Sequence, residues 1–156
     1  MLALRKPNVS DVPAMISLMA PHMRTARLLP RTPRQVLQHL REYQLVEQDG
    51  AVVGVGSLSL VDFDLAEVGA LAGNSEAVEQ LLLDHLLDEA RALGVSRAFV
   101  LTDDPTPFEA CGFRMTTLDA LPQKRDRQCL HCPRVATCTQ VALERVLADS
   151  DCAEAK

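Results

Sequence analysis

The dipeptide Asp49-Gly50 stands between two runs rich in β-formers, Tyr43–Glu47 and Ala51–Leu60. A two-residue Asp-Gly link takes up left-handed backbone that few other pairs tolerate, so it marks a tight hairpin. Residues 66–72 (AEVGALA) read as a further strand. Asn74 or Ser75 then opens a helix carrying Val78, Leu81, Leu82, Leu86, Leu87 and Ala90 on one face, with Gly94 as its stop. Ala98–Thr102 is short and apolar, as a buried strand is. A hairpin, a strand, a long amphipathic helix and a buried strand in that order imply an α/β fold on one mixed central sheet flanked by helices.

The flanking segments extend this pattern. Residues 2–6 (LALRK) alternate as an edge strand does. Ser10 or Asp11 can cap a helix, Pro13 suits its first turn, and Met15, Ile16, Leu18 and Met19 give it one apolar face. Pro21 and Pro30 are expected to break the stretch that follows. Thr32-Pro33 opens a second helix with Val36, Leu37 and Leu40 on one face. Pro107–Cys111 reads as a short helix ended by Gly112, and Phe113–Leu118 as another strand. The expected order is β, α, α, β, β, β, α, β, α, β over a domain of residues 1–122. Residues 123–156 differ. They hold Lys124, Arg125, Arg127 and four of the five cysteines, then an apolar helix from about Thr139 to Leu147 and a polar tail. They read as a Cys-bearing C-terminal extension.

Charge and composition exclude several functions. Lys plus Arg is 16 and Asp plus Glu is 21, giving a net charge of −5. A phosphate backbone wants a basic face, and Trp is absent from the chain, so nucleic acid is not an expected partner. No apolar run reaches the roughly 18 residues of a membrane span. The start, MLALRKPNVSDVP, has charge and Pro where a secretion signal needs an apolar stretch. A cytoplasmic protein with no membrane partner is therefore expected, and a homodimer stays open. In a reducing compartment, five cysteines are thiols or metal ligands before they are disulfides.

Several local segments carry a resemblance when taken in order. They are Leu28-Leu29-Pro30-Arg31-Thr32, then Val46-Glu47 with Asp49-Gly50 and Val53-Gly54, then Glu67-Val68-Gly69-Ala70-Leu71-Ala72. Phe99-Val100-Leu101-Thr102 follows, with Phe108 and Gly112-Phe113, then Leu121-Pro122 and Cys129-x-x-Cys132-Pro133. The set resembles the GNAT N-acetyltransferases, in particular short bacterial proteins similar to the acetyltransferase domain of N-acetylglutamate synthase. The resemblance implies a V-shaped split in the sheet that holds acetyl-CoA, with a small amine entering from the other side. It implies that Glu67 takes the amine proton, that backbone N–H groups of Leu71, Ala72 and Gly73 polarise the thioester, and that Arg31 lies near an amino-acid substrate. It also implies that the turn Asn74, Ser75, Ala77, Val78 and Glu79 meets the CoA diphosphate.

The residues also admit plainer readings. Glu67 can be a solvated strand carboxylate, and Arg31 a surface residue after Pro30. In the diphosphate turn Asn74 replaces a basic residue, Ala77 a glycine, and Glu79 a glycine or alanine. Carboxylates at Glu76 and Glu79 suit a helix N-terminus and oppose a bound diphosphate. Gly69 and Ala70 replace an Arg-Ser pair of the resembling strand. The alternative function is accordingly a non-catalytic GNAT-like domain that has lost CoA and acts as a binding or regulatory module. Thr102 and Asp103 read as a cleft residue pair or as a turn cap, His85 as a partly buried helix residue, and Cys111 as a small buried apolar residue. Cys129, Cys132 and Cys138, with His131, are spaced for a structural zinc, against a disulfide or free thiols.

Overall fold

The computed structural model describes residues 1–24, 30–121 and 140–147. Strand β1 (Leu2–Arg5) leads through a 3₁₀ turn, Val9–Asp11, into α1 (Val12–Arg24), and α2 (Pro33–Gln38) follows. Then come β2 (Tyr43–Gln48), β3 (Ala51–Asp62), β4 (Leu65–Gly73), α3 (Glu76–Ala92) and β5 (Arg97–Thr102). The described chain ends with α4 (Thr106–Ala110), β6 (Arg114–Thr116) and β7 (Val141–Val146). The seven strands form one sheet in the order β1-β2-β3-β4-β5-β7-β6, flanked by helices.

The chain divides into two compact units, Met1–Ser59 with Val68–Glu89, and Leu60–Glu67 with Ala90–Lys156. In the first unit, β2 and β3 pair antiparallel around Asp49 and Gly50, whose φ values of 54° and 83° supply the left-handed turn. Thr32 caps α2: its hydroxyl accepts from the Gln35 N–H at 3.2 Å while Gln35 Oε1 accepts from the Thr32 N–H at 2.9 Å. The core between the sheet and α1–α2 holds Met15, Met19, Val36, Tyr43, Leu45 and Val55. On the opposite face Val78 and Leu82 of α3 pack with Val46, and Leu71 joins them. This close seating requires glycine at Gly54, where a Cβ would collide with Val78 Cγ1.

In the second unit β4 and β5 run parallel, pairing Leu65 with Arg97, Ala66 with Ala98 and Glu67 with Phe99. Phe99, Leu65, Leu121 and Ala142 form its core. Gly94, at φ 86°, ends α3 by donating its N–H to the Arg91 carbonyl, and the Val95 N–H reaches the Ala90 carbonyl.

Five local expectations are corrected. Residues 141–146 form a strand, not a helix: β7 lies between β5 and β6 and pairs antiparallel with both. Pro21 sits inside α1 rather than ending it. The missing N–H leaves only the Ser17 carbonyl without its helical donor, and one turn remains beyond the proline. The helix is entered through a 3₁₀ turn capped by Asn8, whose side chain accepts from the Ser10 N–H at 3.0 Å; Asp11 closes the box by accepting from the Asn8 N–H at 2.7 Å. Strand β6 is shorter than expected, and Leu37 is exposed rather than facing the core with Val36.

Candidate active site

The central feature of β4 is Ala70, a non-glycine residue at φ 53°. Its backbone changes which way the strand faces. A Cβ built on Gly69 would lie 3.2 Å from Ser57 Oγ and 3.9 Å from Arg31 Nη2. The next residue, Ala70, packs into the cluster of Met19, Tyr43 and Val55 on the same side. Two successive residues thus look toward one face, as at a β-bulge. Alternation then resumes, so Leu71 packs with Val78 and Leu82, and a Cβ on Gly73 would meet Val78 Cγ1 at 2.9 Å and Glu79 Cγ at 3.0 Å.

The start of α3 closes back onto the end of this strand. The Gly73 N–H donates to Glu79 Oε2 at 3.1 Å, the Val78 N–H to Ser75 Oγ at 3.3 Å, and the Asn74 N–H to the Val53 carbonyl at 3.0 Å. Of the residues expected around a diphosphate, Ser75, Val78 and Glu79 are therefore brought together, beside Gly73, which was expected at the thioester. Asn74, Glu76 and Ala77 are exposed.

Arg31 approaches the other face of β4. Its backbone N–H donates to Met23 Sδ at 3.2 Å, and its side chain reaches the neighbourhood of Gly69 and Ser57. Nη1 is buried and has no hydrogen-bond partner among the described residues. Tyr43 is 3% exposed; burial raises its phenol above the ordinary range, the Arg31 charge partly opposes this, and the Glu42 carboxylate adds to it. Tyr43, Ser57 and Gly69 as neighbours of Arg31 were not anticipated from the sequence. The lone Tyr and a buried Ser within an apolar strand were the available signals.

Glu67 is half-buried on β4, in the second unit, opposite Phe99. Thr102 proves to be a turn cap: its Oγ1 accepts from the Asp104 N–H at 3.1 Å. Cys111 is buried, and its carbonyl accepts from Arg145 Nη1 at 2.9 Å. His85 is half-buried on α3. Cys129, His131, Cys132 and Cys138 lie outside the described residues, and no cluster of three potential metal ligands occurs among the described ones. Among those residues no helix is long and apolar enough to cross a membrane.

The N-acetylglutamate synthase of Neisseria gonorrhoeae, solved with coenzyme A and N-acetyl-glutamate, superposes with a TM-score of 0.85 at 27% identity, covering 95% of this chain and 35% of that one. The chain belongs to the GNAT superfamily. An amino-acid acetyltransferase of Neisseria meningitidis is 30% identical over 130 residues, 80% of this domain and 30% of that protein. An uncharacterized N-acetyltransferase of Chlorobaculum tepidum is 25% identical over 148 residues and is matched over 96% of its length. The domain thus spans about a third of the amino-acid acetyltransferases it matches and nearly all of the shorter relative. No protein-family model matches it.

Proposed function

We propose that the domain transfers an acetyl group from acetyl-CoA to the amino group of an amino acid. The observation that carries the acceptor class is the buried Nη1 of Arg31, which has no hydrogen-bond partner among the described residues. A guanidinium nitrogen held away from water without an acceptor is costly, and a substrate carboxylate supplies what it lacks. In the transfer a neutral amine attacks the thioester carbon, the C–N bond forms, the C–S bond breaks, and CoA leaves to end as the thiol.

Glu67 is the proposed acceptor of the N–H proton released on attack, directly or through water. Backbone N–H groups of Leu71, Ala72 and Gly73, which follow the bulge at Ala70, are proposed to receive the developing charge on the thioester oxygen. The turn of Asn74, Ser75, Ala77, Val78 and Glu79 is proposed to meet the diphosphate of CoA. That the Gly73 amide already binds a carboxylate, that of Glu79, supports a turn built to face an anion. Seating the diphosphate then requires Glu79 to swing aside.

The extension that bears Cys129, Cys132 and Cys138 remains a proposed structural zinc site, tested by elemental analysis of the purified protein. The function itself is tested by incubating the protein with acetyl-CoA and the free L-amino acids. CoA release and an N-acetylated product with at least one amino acid are expected. Release no faster than in the blank with every amino acid rejects the proposal.

A further inference from the structure

The first compact unit carries opposite charge on its two helical faces. Residues 12–41, from the start of α1 into the 3₁₀ turn Leu40–Glu42, hold five arginines and no Asp or Glu. Arg24 ends α1, Arg34 stands in the first turn of α2, and Arg41 lies in that 3₁₀ turn. All three are exposed, and none enters an ion pair among the described residues. Leu37, 40% exposed, stands between Arg34 and Arg41. The nearby Glu42 carboxylate is already engaged: it accepts from Ser59 Oγ at 3.1 Å and lies 3.4 Å from His39 Nδ1. Across the sheet, α3 has the reverse sign, with five carboxylates and one arginine in Glu76–Ala92. Glu76, Gln80, Asp84 and Asp88 recur every four residues and so form one stripe. Glu76, Gln80 and Asp88 are exposed, and Asp84 is half-buried. Gln80 Nε2 donates to Asp84 Oδ1 at 3.0 Å, while the like charges of Asp84 and Asp88 oppose each other one turn apart.

We infer that these two faces are a self-association surface: the arginine face of α1 and α2 on one copy receives the α3 carboxylate stripe of the next. The argument is charge complementarity. Each face holds charges of one sign that its own surroundings leave largely unneutralised, and the other face supplies the opposite sign. The two faces are different patches on opposite sides of the sheet, so the contact is heterologous. It adds copies head to tail and does not close a two-fold dimer. Charged rims around a single apolar centre at Leu37 make this contact weak and sensitive to salt. A nucleic acid is the poorer occupant of the arginine face, because the net charge of −5 repels a polyanion on approach.

The test is sedimentation velocity of the protein from about 10 µM to about 1 mM, in roughly 10 mM and roughly 500 mM salt. The average mass is expected to rise with concentration in low salt and to stay that of a monomer in high salt. Arg34→Glu with Arg41→Glu, and separately Asp84→Lys with Asp88→Lys, should each stay monomeric in low salt, with thermal unfolding checking their folds. Mixed in equal amounts, the two variants should form a 1:1 pair that grows no further, because each keeps one working face. All four substitutions together reverse both faces and leave the net charge unchanged, so that variant should associate again. A wild type that is monomeric at about 1 mM in low salt overturns the inference. So does association that survives either reversal, and so does a mixture or a fourfold variant that stays monomeric. A monomeric wild type that binds a labelled oligonucleotide overturns it in favour of a polyanion.

Discussion

The Glu79 carboxylate accepts the backbone N–H of Gly73 at 3.1 Å, so the first turn of α3 carries its own anion onto the last residue of β4. Two effects combine in this contact. The negative charge is favourable near a helix N-terminus, and the carboxylate satisfies the Gly73 amide. A diphosphate seated on the turn of residues 74–79 would meet this carboxylate, and a thioester oxygen would compete with it for the amide.

Glu79 should therefore compete with CoA from within the chain. Glu79→Gln keeps an acceptor of the same shape and removes the charge, whereas Glu79→Ala removes both. CoA affinity is expected to rise several-fold in Glu79→Gln and further in Glu79→Ala, while unfolding stability falls by about 1 kcal/mol in the alanine variant. Isothermal titration with CoA alongside thermal unfolding reads both quantities. Equal CoA affinity in all three proteins would place the diphosphate away from Glu79.

Acid sensitivity should trace in part to the N-terminal ion pair. Arg5 Nη1 and Nη2 donate to Asp11 at 2.7 and 2.8 Å, and Arg5 Nε to Glu47 at 2.8 Å. The hydrogen bond from the Arg5 guanidinium, helped by the Asn8 N–H and opposed by burial, lowers the Asp11 carboxyl from 3.8 to about 2. Because the folded value is the depressed one, this stabilisation is present above pH about 4 and is lost as pH falls from about 4 to about 2. It amounts to at most about 2 kcal/mol. Urea unfolding of the wild type and Asp11→Asn across that range should show the two curves converging at low pH.

Backbone strain at Ala70 yields a third expectation. An L-residue in the left-handed region costs about 1–2 kcal/mol, and a β-branched one more. Ala70 is also 1% exposed, so added methyls have no room. Ala70→Val is expected to lose about 2–4 kcal/mol of unfolding free energy, whereas Ala70→Gly, which relieves the backbone and gives up one buried methyl, should stay within about 1 kcal/mol of the wild type. Chemical denaturation of the two variants distinguishes them, and a well-tolerated valine would refute the strained bulge.

Features that depend on near neighbours in the chain are legible in the amino-acid sequence itself. Asp49-Gly50 makes its hairpin because the two residues themselves tolerate positive φ. Thr32-Pro33 starts α2 because cap and first turn lie within four residues. The apolar spacing along α3 buries Val78, Leu82, Leu86, Leu87 and Ala90, as a period near 3.6 requires; Leu81 is only half-buried, and Leu83 joins the core instead. The resemblance pointed to Arg31, Glu67 and the turn at residues 74–79 through the order of the motifs, and their roles stand as proposals.

Other features were decided by partners far along the chain. Val141–Val146 (VALERV) has spacing that suits a helix as well as a strand, and it becomes β7 because Phe99 and Val100 of β5 and Arg114 and Met115 of β6 offer it hydrogen-bonding edges on both sides. The half-turn of facing at Ala70 and the gathering of Arg31 and Ser57 about Gly69 arise in the same way. Local sequence sets turns, caps and amphipathic periods through interactions a few residues long. Which strand fills a gap in a sheet, and which polar group is left buried without a partner, depends on contacts between residues tens of positions apart, and those exist only once the chain has folded.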